Sequence, residues 1–389
     1  MSHAANQART FLRLAAALRP HWRRDRNLPA RIQALLAGER AFGSRDRRLY
    51  RELIYTTLRY LPWIEPRLDT DADEAVRRVA WLAADTPATK NFRAALATGE
   101  PPHGDKTELL PAWFRAHCPE LFASPELETQ LRRPPLWLRL QTDEPQGVTD
   151  EFAARGWSWR AANILPSALE LLDEADVTKT ESFRVGRIEI QDLGSQLILE
   201  TIGLARGGRW LDACAGAGGK TLQLAQLLGP AAQIDAHDIR ASALEELKAR
   251  AIRAGRTNVQ LVARPNAHDY DGVLVDAPCS GSGTWRRAPH LKWVTTPETV
   301  DLAATQQRAL LHEFSAHVRR GGRLIYATCS LSSHENEAVV ADFLASHPDF
   351  QPAPFANTFG ATPRGAGLLI LPSLHNSDGF FVACLHRVS

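Results

Sequence analysis

Short apolar runs alternate with longer stretches of helical spacing from Gln191 onward. The apolar runs predict buried strands and the stretches between them predict helices, so the pattern indicates a parallel sheet with helices on both faces. Two later runs, Leu368–Leu371 and Phe380–Arg387, predict a closing antiparallel hairpin. The predicted strands are Arg209–Ala213, Gln233–His237, Val259–Ala263, Gly272–Asp276 and Arg323–Ala327, and the predicted helices are Lys220–Leu228, Ala241–Ala254 and Pro297–Arg319.

The N-terminal part of the chain has apolar positions at helical spacing instead. Ser44 is suited to cap one of these helices, because serine side chains accept from the first turn. Farther on, Pro134–Leu140 and Phe183–Ile190 have the pattern of strands, and Thr149–Arg155 that of a short helix. The predicted N-terminal helices are Ala4–Leu18, Pro29–Ala41, Arg45–Leu61, Asp73–Ala84 and Thr89–Ala97. The predicted domains are a helical domain over residues 1–133, a small mixed α/β subdomain over 134–190 and an α/β domain over 191–389.

Positive charge is concentrated near the N-terminus, although the formal net charge is only +2. Residues 1–68 contain 14 Arg, no Lys and five Asp or Glu, a formal charge of +9 that leaves about −7 for the remainder. Arginine guanidiniums bind phosphates through two parallel hydrogen bonds. This helical region is therefore predicted to bind RNA, with a solvated surface as the alternative.

The sequence contains no sign of membrane insertion or secretion. No apolar run approaches the ~20 residues that cross a bilayer, and Met1–Arg9 lacks the apolar core of a signal peptide. The five cysteines are an odd number and none has the spacing of a metal site, which argues against a disulfide framework. We expect a monomeric cytoplasmic protein with reduced thiols, no bound metal and no membrane partner.

A glycine-rich turn follows the first strand of the predicted sheet and precedes a helix. Its glycines allow the backbone to approach a ligand, and the first N–H groups of the helix are available to bind it. Asp238, at the end of the next strand, is placed to accept from ribose hydroxyls. Gly219-Lys220-Thr221 matches the end of a phosphate-binding P-loop, but Cys214 stands where that motif requires its first glycine. S-adenosylmethionine therefore fits better than a nucleoside triphosphate.

Two polar turns that contain a cysteine follow later strands of the sheet. One is Asp276-Ala277-Pro278-Cys279-Ser280-Gly281 and the other is Thr328-Cys329-Ser330. A cysteine is often a buried structural residue, but a thiolate in a polar turn can be reached and tuned. Carbon 5 of cytosine is too electron-poor to take a methyl group directly, and a thiolate that adds to carbon 6 makes it nucleophilic. The two turns thus indicate covalent chemistry on such a ring.

Charged and aromatic residues accompany these turns. Asp276 lies three positions before Cys279 and can hydrogen-bond the nitrogen edge of the ring, which stabilises the charge that develops on attack. Lys220 begins a helix, where a cation is unfavourable, so we expect it beside an anion such as Asp276, beside the target base, or simply at the surface. Trp285, followed by two arginines, can stack on a splayed-out nucleotide or pack in the core.

The glycine loop, the two cysteine turns and a closing Asp378-Gly379-Phe380-Phe381 resemble, in order and spacing, the motifs of the RsmB/NOP2/Sun family of RNA 5-methylcytosine methyltransferases. The resemblance extends from roughly Pro134 to the C-terminus. It implies a class I S-adenosylmethionine-dependent methyltransferase domain, Rossmann-like with a seven-stranded sheet. The N-terminal region is similar to the all-helical NusB-like domain of some members, which makes 16S ribosomal RNA the expected target and transfer RNA the alternative.

The resemblance also assigns roles to residues. It implies that Cys329 attacks carbon 6 and that Cys279 assists release, although the residues by themselves do not order the two thiols. A DNA cytosine methyltransferase would leave Cys329 idle, and a non-catalytic RNA-binding assembly factor would require neither thiol. The expected catalytic residues are Cys329, Cys279, Asp276 and Lys220, and the expected cofactor-binding residues are Cys214, Ala215, Gly216, Ala217, Gly218, Gly219, Lys220, Asp238 and Asp276.

Some positions depart from the family pattern. Ala217 stands where proline is common, and His290 where an acid is common. No acidic residue follows the third strand at Ala263-Arg264-Pro265-Asn266. Asn266 or a backbone carbonyl is therefore expected to contact the adenine edge of the cofactor.

Overall fold

The computed structural model describes residues 3–265 and 269–388, which form two compact units. The first unit comprises the residues up to Arg133 together with Thr284–Pro297, and the second comprises Pro134–Gly283 together with the residues from Glu298 onward. We call Thr284–Pro297 the insertion segment. No helix within residues 3–265 and 269–388 combines the length and apolar character of a bilayer span.

The first unit is helical, as its apolar spacing predicts. Its core contains Phe11, Trp22 and Leu53, which are fully buried. The helix expected from Arg45 begins at Ser44, and Gly43 rather than Ser44 is its N-cap, because the Asp46 carboxylate accepts from the Gly43 N–H at 3.0 Å. The helices are α1 (His3–Leu18), α2 (Leu28–Gly38), α3 (Ser44–Arg59), α4 (Leu61–Ile64), α5 (Arg67–Thr70), α6 (Ala72–Leu82), α7 (Lys90–Leu96) and α8 (Glu126–Gln130), with short 3-10 turns at Arg19–His21, Lys106–Leu109, Ala112–Ala116 and Pro119–Phe122.

A four-stranded antiparallel sheet opens the second unit, in the order β2-β3-β1-β4. The strand expected over Phe183–Ile190 is wrong in its first part, because the Thr180 hydroxyl accepts from the Phe183 N–H and caps a helical turn there. The hairpin of β2 and β3 was not predicted, since two of the four residues of β2 are alanines and β3 contains Pro166, and both residue types are depleted in strands. The elements are β1 (Leu136–Leu140), α9 (Gln146–Ala154), β2 (Trp159–Ala162), β3 (Leu165–Leu171), a 3-10 turn (Val177–Lys179), α10 (Glu181–Arg184) and β4 (Ile188–Ile190).

The rest of the second unit has the alternating strands and helices that the sequence predicts. The helix expected to reach Arg319 ends at Ser315, and the following strand begins at Val318. The strands are β5 (Arg209–Asp212), β6 (Gln233–Ala236), β7 (Val259–Leu261), β8 (Tyr270–Asp276), β9 (Val318–Thr328), β10 (Phe350–Pro352), β11 (Thr362–Arg364), β12 (Gly367–Ile370) and β13 (Phe380–Arg387). The helices are α11 (Leu193–Glu200), α12 (Gly219–Leu228), α13 (Ala241–Arg253), α15 (Pro297–Ser315) and α16 (Glu337–Ser346), with a 3-10 turn at Ser282–Thr284, while α14 (Leu291–Val294) lies in the insertion segment.

Seven strands of this sheet follow the order β7-β6-β5-β8-β9-β13-β12. Strands β5 to β9 pair in parallel, and β13 is antiparallel to both β9 and β12, which confirms the predicted hairpin. Within the described residues, the three-residue strands β10 and β11 extend the sheet to nine strands. Because β5, β6, β8 and β9 are parallel neighbours, the turns that follow them meet at one edge of the sheet.

The insertion segment packs into the helical unit. Trp285 is 0% exposed and its ring centroid lies 4.6 Å from that of Phe114. Arg286 is also buried and donates to the carbonyls of Arg132 and Arg133 at 3.2 and 3.0 Å. Of the two alternatives for Trp285, the structure therefore supports the core role, and the ring is not available to stack on a nucleotide.

A buried lysine anchors the same segment. The Lys292 ammonium donates to the carbonyls of Arg59 and Leu109 at 2.9 and 3.0 Å. Burial, together with the nearby Arg59 guanidinium, lowers the pKa of Lys292 to about 7. Trp293 adds a hydrogen bond from its indole N–H to the Leu58 carbonyl at 2.7 Å. The segment is thus held by backbone acceptors of the N-terminal helices.

Candidate active site

The glycine-rich turn lies between β5 and α12, as expected. Gly218, the residue before α12, has φ +89°, and a Cβ there would lie 2.7 Å from Leu247 Cγ of α13, so only glycine fits. A Cβ at Gly219 would meet nothing within 4 Å. The first turn of α12 is therefore open on that side, and its N–H groups point toward the loop.

Asp238 closes the loop from the neighbouring strand. Its side chain is 5% exposed and accepts from the Gly216 N–H at 2.8 Å. It also accepts from the Arg240 backbone N–H at 2.9 Å and from the Arg240 guanidinium at 3.0 Å. Burial raises the pKa of Asp238, but the hydrogen bonds from Arg240 and Gly216 outweigh burial and lower it overall. Between the two, the Ile239 side chain is 86% exposed.

Arg250 of α13 holds the other side of the loop. Its guanidinium donates to the Ala217 carbonyl at 2.7 Å and to the Glu189 carboxylate of β4 at 2.9 Å. Arg253, one turn later, also pairs with Glu189. No local sequence pattern indicates this contact, because only the fold brings β4 beside α13. The four-stranded sheet and the glycine loop are thereby linked through one side chain.

Asp212, the last residue of β5, is a buried acid beneath the loop. The Thr221 hydroxyl donates to its carboxylate at 2.7 Å. Burial, reinforced by the nearby Asp276 carboxylate, raises the pKa of Asp212 to about 7. A carboxyl whose pKa is raised on folding stabilises the protein at low pH, and this stabilisation is lost as the pH rises through the folded-state pKa.

We predict that Asp212→Asn removes this pH dependence. The free energy of unfolding of the natural protein should fall, relative to that of the variant, as the pH rises from about 4 to about 7, by at most about 4 kcal/mol. Urea denaturation across that range measures the difference. The exposed Asp342 provides the matched control, Asp342→Asn. Parallel stability curves for the natural protein and Asp212→Asn would show that Asp212 ionises in the folded chain as it does in water.

The buried Lys220 forms an ion pair with the partly exposed Asp276. The Lys220 ammonium is 2.9 Å from the Asp276 carboxylate and 5.2 Å from the centroid of the Phe380 ring. Burial lowers the pKa of Lys220, but the charges of Asp276, Cys329 and Asp212 outweigh it and raise the pKa overall. Lys220 is therefore a fixed cation, with an acid on one side and the second cysteine turn nearby.

The two cysteine turns meet because β8 and β9 are in register, with Asp276 opposite Ala327. The sulfurs of Cys279 and Cys329 lie 3.2 Å apart, in contact but far beyond the about 2.05 Å of a disulfide. The hydrogen bond with Cys329, then burial, then the negative charges of Cys329 and Glu335 raise the pKa of Cys279 well above its ordinary value.

The closing Asp-Gly-Phe-Phe motif is hydrogen-bonded to the segment that links the two cysteine turns. The Gly379 N–H donates to the Gly283 carbonyl at 2.8 Å. The Gly283 N–H in turn donates to the Cys329 carbonyl at 2.9 Å. A Cβ on Gly283 would lie 2.0 Å from the Gly379 carbonyl oxygen. Glycine is required there because three chain segments pass at backbone contact.

Sequence reasoning also missed Glu335. This glutamate is 0% exposed and accepts from the residue after each cysteine, Ser280 and Ser330. Asn266, the expected adenine contact, lies outside the described residues. Within residues 3–265 and 269–388, no group of three or more His, Cys, Asp or Glu side chains could hold a metal ion.

Residues 200–386 match the family described as 16S rRNA methyltransferase RsmB/F. Over 301 residues the chain is 31% identical to ribosomal RNA small subunit methyltransferase B of Escherichia coli O6:K15:H31, a match that covers 72% of this chain and 67% of that protein. The chain belongs to the RsmB/F family. S-adenosylmethionine is the cofactor of the class I methyltransferase fold that the RsmB/F family and this chain share.

Another relative matches over a shorter span. The probable ribosomal RNA small subunit methyltransferase B of Synechocystis is 35% identical over 256 residues, and the match covers 62% of this chain and 57% of the relative. The chain therefore spans little more than half the length of that protein. Among solved structures, a methyltransferase homologue from Pyrococcus horikoshii superimposes with a TM-score of 0.58 at 26% identity, covering 67% of this chain and 89% of that one.

Proposed function

We propose that this RsmB/F chain is an S-adenosylmethionine-dependent RNA cytosine-C5 methyltransferase that acts on 16S ribosomal RNA through a covalent cysteine adduct at carbon 6. The observation that carries the proposal is the pair of thiols 3.2 Å apart, next to the Lys220–Asp276 ion pair and at the same sheet edge as the glycine loop. A DNA-type enzyme needs one such thiol, and a non-catalytic RNA-binding factor needs neither.

The loop between β5 and α12 fits the cofactor. The open side at Gly219 and the N–H groups of the first turn of α12 are suited to bind the carboxylate of the methionine part of the cofactor. Asp238 is suited to accept from the ribose hydroxyls once the exposed Arg240 guanidinium moves aside. The exposed Ile239 provides an apolar surface for the adenine ring. When bound, the cofactor supplies an electrophilic methyl group on a sulfonium.

The charges around the thiols favour Cys329 as the nucleophile. Lys220 interacts with Cys329 and stabilises a thiolate there, whereas Glu335 opposes ionisation of Cys279. The Cys329 thiolate adds to carbon 6 of cytosine, and the electron pair of the 5,6 double bond becomes available at carbon 5. Asp276 hydrogen-bonds the nitrogen edge of the ring as its charge develops. After methyl transfer, water takes the carbon 5 proton, and the electrons of that C–H bond re-form the 5,6 double bond as the Cys329 thiolate leaves carbon 6, with Cys279 assisting release.

The arginines of the helical unit support RNA as the substrate. Several of them, including Arg13, Arg23 and Arg31, pair with acids at the surface. Exposed ion pairs contribute only about 0.2–1 kcal/mol each, so a phosphate can displace the acid. Arg59 differs from these arginines because it is buried inside the helical unit and cannot reach a phosphate at the surface. The basic surface is therefore smaller than the arginine count of this segment suggests.

A substrate comparison tests the proposed function. We expect the purified chain with tritiated S-adenosylmethionine to label unmodified 16S rRNA, and bisulfite sequencing to place the product at carbon 5 of a cytosine. The controls are transfer RNA transcripts and a DNA duplex with the sequence of the 16S rRNA substrate. Labelling of transfer RNA alone would show that transfer RNA, and not 16S rRNA, is the substrate. Labelling at an atom other than carbon 5 would overturn the covalent chemistry.

A further inference from the structure

The carboxylate of Glu335 lies between the two cysteine turns. One oxygen accepts from the Ser280 N–H at 2.7 Å, and the other accepts from the hydroxyls of Ser280 and Ser330, each at 2.5 Å. Gln307 of α15 donates to the same carboxylate at 3.2 Å and to the Pro278 carbonyl at 3.0 Å. A single buried side chain thus bonds the residue next to each thiol.

The backbone around Glu335 is fixed as well. The Tyr326 hydroxyl donates to the Glu335 carbonyl at 2.5 Å. The neighbouring Asn336 accepts from the Thr328 hydroxyl at 2.6 Å and donates to the Ser330 carbonyl at 2.9 Å. The glutamate therefore cannot move without moving the turn that contains Cys329.

Glu335 also makes the surroundings of the two thiols unequal. Its negative charge raises the pKa of Cys279, whereas the Lys220 ammonium interacts electrostatically with Cys329. The titratable groups that interact with Cys279 are Cys329 in the turn after β9, Tyr326 of β9 and Glu335 itself. Tyr326 in turn interacts with Asp276 of β8 and Arg308 of α15, and Cys329 interacts with Lys220 of α12. Among these, Glu335 is the group that bonds to the residue directly after Cys279.

We propose that Glu335 is a positioning residue that holds the two thiols side by side and keeps Cys279 protonated while Cys329 acts as the nucleophile. This inference rests on the proposed function for its catalytic meaning. The physical claim concerns only the thiols and can be measured without RNA or cofactor. A glutamate that merely filled space in the core would not change the ionisation of Cys279.

The test is the pH dependence of Cys279 alkylation by iodoacetamide, followed by mass spectrometry in a Cys329→Ala background. Adding Glu335→Gln, which keeps the shape and removes the charge, should lower the midpoint of alkylation by about one pH unit, a roughly tenfold faster reaction near neutral pH. Glu337→Gln, two residues away on α16, is the matched control and should leave the midpoint in place. An unchanged or higher midpoint in Glu335→Gln would overturn the proposal.

A second variant covers the case in which Glu335→Gln does not fold. Ser280→Ala removes one hydroxyl bond to the carboxylate and leaves its charge in place. The midpoint of Cys279 alkylation should then stay the same or rise, and a fall would contradict the proposal. Methyl transfer to 16S rRNA is scored separately, so loss of the proposed function and loss of the thiol asymmetry give different results.

Discussion

Cys329→Ala is expected to abolish methyl transfer and the covalent protein–RNA adduct, whereas Cys279→Ala should still attack and transfer but accumulate the adduct. Without the Cys329 sulfur, no nucleophile reaches carbon 6, and loss of a covalent nucleophile costs at least about a thousandfold in rate. Without Cys279, the thioether forms but is released slowly. A denaturing gel with labelled RNA separates the two variants, because only Cys279→Ala should retain a slow-migrating band.

Cys384→Ala is the control for this pair, since Cys384 is a buried cysteine of β13 with no part in the proposed chemistry. It should behave as the natural enzyme. A trapped adduct with Cys329→Ala instead would reverse the roles and make the chain act like a DNA-type enzyme. Full activity in both active-site variants would show that no covalent step occurs.

Lys220→Met is expected to lower kcat by about a hundredfold to a thousandfold, the range seen when one preorganised electrostatic group is removed. The variant keeps the length of the side chain but leaves Asp276 without its cation at 2.9 Å and Cys329 without its positive neighbour. Its rate should also recover partly at alkaline pH, because a Cys329 thiol that has lost Lys220 needs a higher pH to ionise. Steady-state kinetics across pH with 16S rRNA provide the measurement.

Lys248→Met, an exposed lysine on α13, serves as the comparison and should not change kcat. The split between kcat and KM decides which role Lys220 has. If kcat stays constant while KM for S-adenosylmethionine rises, then Lys220 binds the cofactor and does not act on the thiol. Thermal unfolding of both variants confirms that a loss of rate is not a loss of fold.

The strands and helices of the α/β domain could be predicted because each is indicated by the apolar pattern of its own residues. A strand such as β8 is an uninterrupted apolar run, and its polar turn with Asp276 and Cys279 stands out against it. Parallel neighbours then place such turns at one edge. The proximity of Lys220 and Asp276, which are 56 residues apart in sequence, was one of the alternatives the sequence left open, because a cation at a helix N-terminus needs an anionic partner. Their roles in catalysis stay predictions.

The residues that were missed depend on contacts that no local pattern encodes. Glu335 sits among ordinary polar residues, and its partner Ser280 is 55 positions away. In the sequence, Arg250 has the pattern of an ordinary surface cation on an amphipathic helix. Its contact with Glu189 of β4 becomes visible only in the folded structure. Trp285 shows the converse, because an aromatic residue flanked by arginines has the same sequence pattern in a core as on an RNA-binding surface.

The insertion segment has a consequence for the order in which this protein folds during synthesis. Trp285 and Lys292 complete the packing of the N-terminal helices, yet the ribosome reaches them only after residues 134–283 have been made. At about 5–20 residues per second, the helical unit waits on the order of 10 s with its apolar surface around Phe114 open to solvent. We therefore expect chaperones that bind apolar segments to associate with the nascent chain during this interval.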